Sequence, residues 1–420
     1  MAPPDFAPPS NAPAPRDPEA GCWLTVVGLG EEGADGLSPA AGRAIAAAAH
    51  VFGGERHLRL AGALLRGEAH PWPRPFDAGL QAVLARRGQA VCVLASGDPF
   101  CFGVGATLAR HVPAGEMRVL PAPSAFSLAA ARLGWALCDV GTLSLHGRPL
   151  ARLRPLLHPG RRLLALTADG RAPAEIAAFV TALGFGATRL TVLERLGGPA
   201  ERVVSLTAAG AGQAIFDDLN VVGLEVQAAA EARPLPLTPG LADDLFAHDG
   251  QITKREIRAL TLAALAPLRG QCLWDIGAGS GSVAIEWLLR DPSLTAIAIE
   301  ADPVRAARIR TNAGVLGVPH LQVVEGRAPG ALADLPAPDA IFVGGGGRDR
   351  SVMEAAMAAL RPGGRLVANA VTLDLEAVLL DLHARFGGEL VRVALAAASP
   401  VGSLTGWRPA MPVTRWTWVR

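Results

Sequence analysis

A chain of 420 residues, half of them hydrophobic, exceeds one ordinary domain and fits two of about 200 residues each. The net charge of +1 provides no overall field to draw in nucleic acid or an anionic membrane, and no uninterrupted apolar run approaches the roughly 20 residues that span a bilayer. The five cysteines are scattered without a Cys-x-x-Cys pair, and none of the nine histidines stands at i, i+4 spacing to another. Neither a disulfide framework nor a metal centre is expected, and a reducing, cytoplasmic compartment is.

Residues 1–20 are rich in Pro and Ala, carry Asp5, Arg16 and Asp17, and lack the apolar core of a signal peptide, which predicts a disordered leader. Short apolar runs at 22–27, 90–94 and 163–166 are each followed by glycine or polar turns and read as buried strands. Alanine-rich stretches at 39–49 and 124–133 have helix-forming composition. This alternation predicts an α/β sheet. The segment Glu231-Ala-Arg-Pro-Leu-Pro-Leu-Thr-Pro-Gly240, with three prolines, is the predicted linker between a domain over 21–230 and a second over 241–420.

Past the linker, Thr253-Lys-Arg-Glu256 reads as a capping box at a helix start, and Ile257, Leu260, Leu265 and Leu268 are its expected apolar side. Strands are expected at 272–276, 295–299, 321–324, 340–343 and 365–369, with helices between them, as in a doubly wound parallel sheet. No repeat relates the two halves, so duplication of one fold is not favoured.

The strongest local signal is Asp275-Ile-Gly277-Ala-Gly279-Ser-Gly281, where a buried strand turns into a helix starting near Ser282. Glycines there permit a tight turn and close approach of a ligand to the backbone. Glu300 ends the next strand, placed to accept hydrogen bonds from both hydroxyls of a ribose. The ligand is therefore expected to be a nucleoside, but Glu300 suits S-adenosylmethionine and NAD alike. The third glycine comes one place too early for a dinucleotide fingerprint, and the spacing resembles the glycine loop of class I S-adenosylmethionine methyltransferases.

The likeness extends through Leu241-Ala-Asp-Asp-Leu-Phe246, Gly250-Gln-Ile-Thr-Lys-Arg-Glu-Ile-Arg258, Leu273 to Ser282, Pro338-Asp-Ala-Ile-Phe-Val-Gly-Gly345 and Arg361-Pro-Gly-Gly-Arg-Leu-Val-Ala-Asn369. These stretches resemble the decarboxylating precorrin methyltransferase domain that modifies carbon 15. The resemblance implies a cofactor site lined by Thr253, Gly277, Ala278, Gly279, Ser280, Gly281, Glu300 and Ala328, although Thr253 read by itself is equally a helix cap. Arg327 stands where that family usually carries Asp. Lys254 is the sole lysine; it and Arg258 read as solvated residues or as partners for substrate carboxylates. Gly344, Gly345 and Gly346, after a buried strand, offer a side-chain-free surface to a flat macrocycle, and Asn369 is a further substrate candidate. Lys254, Arg258 and Gly345 are the residues expected at the reacting centre.

In the first half, Val26-Val-Gly-Leu-Gly30 is a weak glycine-turn signal, and Ala95-Ser-Gly-Asp-Pro-Phe-Cys-Phe-Gly-Val-Gly105 a distinctive one. With Pro121-Ala-Pro-Ser-Ala-Phe126, Leu145-His-Gly-Arg148, Leu166-Thr167 and Glu194-Arg-Leu-Gly197 they resemble the tetrapyrrole methylase (class III) fold of two α/β subdomains, and within it the carbon-5 methylating domain of the same pathway. The resemblance implies cofactor contacts at Gly28, Leu29, Gly30, Gly97, Asp98, Gly103, Val104 and Ser124, and substrate contacts at His146 and Arg148. Asp98 before proline is otherwise a common turn former.

Together the halves resemble the fused precorrin C5,15-methyltransferases. That family methylates precorrin-6Y at carbons 5 and 15 with S-adenosyl-L-methionine and removes a ring-acetate carboxyl, in cobalamin biosynthesis. The implied partner is a polycarboxylate tetrapyrrole, with neither nucleic acid nor membrane, and self-association is left open. An NAD-dependent reductase built on the second glycine loop and a nonenzymatic nucleoside-binding scaffold are the competing readings.

Overall fold

The computed structural model describes residues 21–420; the leader expected over 1–20 lies outside the described residues. The chain divides into two compact units, one made of residues up to Gly147 with Gly160–Ala232, the other of Arg148–Pro159 with Arg233–Arg420. Residues 148–159, read as part of the first domain, thus group with the second. The reason is local packing: Pro155 lies against Gly317, where a Cβ would stand 2.4 Å from the proline ring.

The first unit begins with β1 (Leu24–Leu29), whose apolar side chains point to both faces and are buried, as a central parallel strand requires. It joins β2 (His50–Gly53), β3 (Glu68–Pro71), β4 (Val91–Ser96) and β5 (Met117–Leu120) in a parallel sheet ordered β3-β2-β4-β1-β5. A second sheet, ordered β6-β7-β10-β8-β9, contains β6 (Gly141–Ser144), β7 (Arg162–Leu166), β8 (Arg189–Glu194), β9 (Arg202–Thr207) and β10 (Asn220–Glu225). Only β6 and β7 pair in parallel there.

The second unit holds one seven-stranded sheet, ordered β13-β12-β11-β14-β15-β19-β16. Its parallel part is β11 (Cys272–Ile276), β12 (Thr295–Glu300), β13 (Gln322–Glu325), β14 (Ala340–Val343) and β15 (Arg365–Ala370). The sheet is not wholly parallel as expected: β16 (Glu389–Val393) and β19 (Val413–Val419) close it with antiparallel pairings, and β17 (Ala396–Val401) and β18 (Leu404–Pro409) form a separate hairpin.

The lead-in to this sheet corrects two expectations. The boundary between the units, at Ala232 and Arg233, falls within the expected linker 231–240, and the segment after it packs on the second unit, with Leu235 buried in that core and the Gly240 amide donating to Glu286. The helix runs Arg255–Leu265, and its N-cap is Lys254 with no side-chain cap hydrogen bond, so the Thr253–Glu256 box does not form. Its buried face is Arg258, Thr261, Leu262 and Leu265, while Leu260 and Leu268 are exposed.

Candidate functional site

In the second unit the chain crosses from β13 on one side of β11 to β14 on the other, and such a reversal of strand order is where open α/β sheets bind ligands, beyond the strand ends. The loop after β11 supplies Gly277, Gly279 and Gly281, with φ of 69°, 60° and 75°, values that side-chain-bearing residues rarely adopt. A Cβ on Gly277 would lie 2.6 Å from the Cα of Gly345. The two glycine loops therefore pack backbone on backbone, and both Gly344 and Gly345 donate their amides to the Ile276 carbonyl at 3.0 and 3.2 Å.

Glu300 is 6% exposed and accepts from the Gly279 amide at 2.8 Å and the Asp302 amide at 3.0 Å. Each carboxylate oxygen retains a further acceptor site for a ligand donor. Gly326 donates to the Glu300 carbonyl at 2.9 Å, which brings the stretch leading to the half-buried Ala328 beside it. Asp275 is fully buried, and its Oδ2 accepts from Ala284 N at 3.1 Å. Burial pushes this carboxyl up to about 7, against the pull of the Ala284 amide and with the Glu300 charge adding to the rise. Its Oδ1 and the buried Ser280 Oγ have no hydrogen-bond partner among the described residues.

Asn312, on the helix Pro303–Val315, was not picked out from the sequence. Its Oδ1 accepts from Ala247 N at 2.9 Å, and its Nδ2 donates to Ala247 O at 3.0 Å and to Ser280 O at 2.9 Å. One amide therefore ties the lead-in to the glycine loop. Asp249 reinforces the tie through Arg305 at 2.9 Å and Arg308 at 3.1 Å, which hold its carboxyl well below the usual range. Residues 247–253 consequently run beside the glycine loop, and a Cβ on Gly279 would meet Gln251 O at 3.4 Å.

Arg258 does not face a cleft. Its side chain is fully buried; Nε donates to Glu286 Oε1 at 2.5 Å, Nη1 to Asp243 Oδ1 at 3.1 Å and to the Thr253 carbonyl, and Nη2 to the Leu241 carbonyl. The guanidinium also lies 4.8 Å from the Phe246 ring centroid. Glu286, equally buried, accepts the amides of Gly240 at 2.7 Å and Leu241 at 2.9 Å. The expected substrate contact is therefore an internal anchor for the lead-in. Lys254 differs: its side chain is 59% exposed and 3.9 Å from Asp243. Asn369 follows Ala368, the register partner of Val343, so it stands level with Gly344, and its Nδ2 donates to Thr261 Oγ1 at 2.8 Å while its Oδ1 has no hydrogen-bond partner.

In the first unit, three strand ends meet. A Cβ on Gly28 would stand 1.9 Å from the Gly97 carbonyl oxygen and 2.6 Å from Ala122 N, and one on Gly97 (φ 53°) would stand 2.7 Å from Pro123 O. Ala122 N donates to Gly97 O at 3.2 Å. Gly103 and Gly105 are similarly confined by the Pro99 carbonyl. Gly30 is different, since a Cβ there meets only the Glu32 carboxylate. Glu31, next along, pairs with Arg56 and, at 3.5 Å, with Arg195.

Several predicted contacts have other duties here. Asp98 Oδ1 accepts from Phe100 N at 2.8 Å, closing its turn. Ser124 is the N-cap of the helix Ala125–Leu133, accepting from Ser127 N at 3.1 Å. The Leu29 side chain is buried, so only its backbone faces the loop, while Val104 is half-buried at a helix start. His146 is exposed with Nδ1 3.4 Å from the Thr167 carbonyl, and it belongs to the first unit whereas Arg148 belongs to the second.

Two family models match in succession: Tetrapyrrole (Corrin/Porphyrin) Methylases over residues 24–211 and the Precorrin methyltransferase domain over 244–420. A Sinorhizobium sp protein named precorrin-6Y C(5,15)-methyltransferase [decarboxylating] is 60% identical over 95% of this chain and 96% of its own length. The chain belongs to the decarboxylating precorrin-6Y C(5,15)-methyltransferase family. It is thus an enzyme of cobalamin biosynthesis with an α/β fold in each half, and neither the reductase nor the scaffold describes the family. Two shorter Salmonella typhimurium relatives are also similar. One, named cobalt-precorrin-7 C(5)-methyltransferase, is 35% identical over 43% of this chain and 88% of its own length. The other, named cobalt-precorrin-6B C(15)-methyltransferase (decarboxylating), is 34% identical over 41% and 92%.

Proposed function

We propose that the chain works in the cytoplasm with two independent sites, each holding S-adenosyl-L-methionine. The first unit methylates carbon 5 of the precorrin, and the second methylates carbon 15 and releases the ring-acetate carboxyl as carbon dioxide. The observation that carries this reading is a close-packed cluster of strand-end glycines in each unit, Gly28 and Gly97 against Ala122 in one and Gly277 against Gly345 in the other. The existence of separate C(5) and C(15) relatives supports the division, and cysteines scattered without a Cys-x-x-Cys pair support a reducing compartment.

The second crevice fits the cofactor on its own chemistry: Glu300 can accept from the ribose hydroxyls, Asp275 Oδ1 and Ser280 Oγ are buried without partners, and the glycine backbone admits close approach. When bound, the cofactor supplies a methyl group on a sulfonium. The protein's part is to hold a nucleophilic ring carbon in line and to exclude water. Gly344, Gly345 and Gly346 present a surface without side chains to the macrocycle, and Asn369 Oδ1 stands level with them. Lys254 extends from an exposed position to orient a carboxylate, while the conjugated ring takes up the electron pair left by carbon dioxide. In the first crevice Gly30, Asp98, Gly103, Val104 and Ser124 line the cofactor, and His146 meets the substrate.

The test keeps the full chain, because a cut near residue 236 would remove residues 148–159 from the unit they pack with. Whole protein given precorrin-6Y and S-adenosylmethionine should yield a product two methyl groups heavier and one carbon dioxide lighter by mass spectrometry. Gly277→Ala, at φ 69° and 2.6 Å from Gly345, should leave only the carbon-5 methylation. If that variant, folded, still decarboxylates at the wild-type rate, the assignment to the second unit fails.

A further inference from the structure

Away from both glycine crevices, three side chains on the first sheet converge. His50 opens β2, and its register partner on the parallel edge strand β3 is Glu68. His70 lies two residues beyond Glu68, so the pleat returns it to the same face. His50 and Glu68 open their strands and His70 is the third residue of β3, whereas Gly28 lies near the end of β1 and Gly97 just past the end of β4.

His50 Nδ1 and His70 Nε2 are 3.1 Å apart, and Glu68 Oε2 stands 3.3 Å from the first and 3.5 Å from the second. A triangle with those edges encloses a point about 1.9 Å from each corner, close to the roughly 2.0–2.2 Å bonds that imidazole nitrogen and carboxylate oxygen make to zinc-like ions. An ion bonded to all three would sit slightly out of their plane. Mutual approach of three acceptors is unfavourable unless protons or a cation lie between them, and the groups around the triad favour the cation. The Gln89 side-chain carbonyl accepts from His50 Nε2 at 2.8 Å, which leaves the His50 Nδ1 lone pair aimed inward, the outer-sphere bond typical of metal-bound histidine. His70 stacks on Phe52, with centroids 4.5 Å apart and planes 20° from parallel, which fixes its ring.

We infer that His50, Glu68 and His70 form a binding site for one divalent first-row transition-metal ion of the zinc or cobalt(II) type. Two imidazoles and one carboxylate are borderline donors, which suit such ions better than magnesium or calcium. The side chains of His50 and His70 are 18% exposed and that of Glu68 64%, so the ion would keep open positions toward solvent. It would cross-link β2 to the edge strand β3, which pairs on one side only. This site is independent of the methyl-transfer assignments.

The experiment uses the full-length chain without an added tag, stripped with EDTA and titrated with zinc by calorimetry and with cobalt(II) by visible absorption. One equivalent of zinc should bind, cobalt(II) should develop ligand-field bands that zinc abolishes, and zinc should raise the thermal midpoint. His50→Ala and His70→Ala should each weaken binding at least about 100-fold, and Gln89→Ala about 10-fold. Glu68→Gln, at an exposed side chain, should weaken binding while leaving the metal-free midpoint unchanged, which separates loss of a ligand from loss of fold. No zinc bound by the wild type at micromolar concentrations, or equal affinity in wild type, Glu68→Gln and His70→Ala, would overturn the site.

Discussion

Replacing Arg258 by methionine tests whether this residue orients substrate, as its sequence neighbourhood suggested, or anchors the fold. The substitution keeps much of the side-chain volume but leaves Glu286, which is fully buried, with only the Gly240 and Leu241 amides as partners. The Leu241 and Thr253 carbonyls lose their guanidinium donors as well. Removing one member of a buried, hydrogen-bonded pair costs about 3–5 kcal/mol, because the other charge stays desolvated. At about 2–4 °C per kcal/mol for a body of this size, the second unit's transition should fall by about 6–20 °C in differential scanning calorimetry. Since Arg258 also holds Thr253 beside the glycine loop, S-adenosylhomocysteine should bind more weakly to the folded variant. Arg258→Met with Glu286→Leu should recover part of the stability, as paired replacement by apolar residues removes the stranded charge. A loss under about 1 kcal/mol, accompanied by a raised KM for precorrin alone, would refute the anchor and restore the substrate role.

In the first unit, Gly28→Ala should abolish carbon-5 methylation in product mass spectra, because its Cβ meets backbone at 1.9 Å, whereas Gly42→Ala should retain it, since nothing lies within 4 Å of a Cβ there; equal losses would show that backbone clearance at Gly28 is not what matters. The second concerns pH. Asp275 holds its proton up to about pH 7 when folded, against the ordinary aspartate value of 3.8, so between those values the folded state binds more protons and this group's contribution to stability falls as pH rises. Relative to Asp275→Asn, wild-type stability in urea should therefore decline from pH 4.5 to 7.5, on the order of 1 kcal/mol per unit; parallel curves would mean that the carboxyl is not held neutral.

The parts legible in the sequence were those governed by neighbours along the chain. The strands at 272–276 and 340–343 and the helix starting at Ser282 stand where expected, because an apolar run ended by glycine signals a buried strand whatever it pairs with. The glycine loop and Glu300 were legible for the same reason, one through positive φ and the other through its fixed place at a strand end. The antiparallel strands β16 and β19 were not: β16 is only half-buried and β19 is buried unevenly, and their direction follows from where the chain returns to β15.

Charge placement was beyond local reading altogether. Arg258 heads a helical stripe with Thr261, Leu262 and Leu265, yet its buried partner Glu286 lies 28 residues away, and an arginine reads as solvated until that partner is known. Asn312 gathers Ala247 and Ser280 across separations of 65 and 32 residues, and the His50, Glu68 and His70 triad is assembled by strand pairing rather than spacing. Glycine turns, buried strands and the family were readable from residue order alone, since backbone conformation and burial periodicity are written locally. Which charged groups leave water and which donors converge is settled by folding, because desolvation and ligand geometry depend on residues that meet only after the sheets have formed.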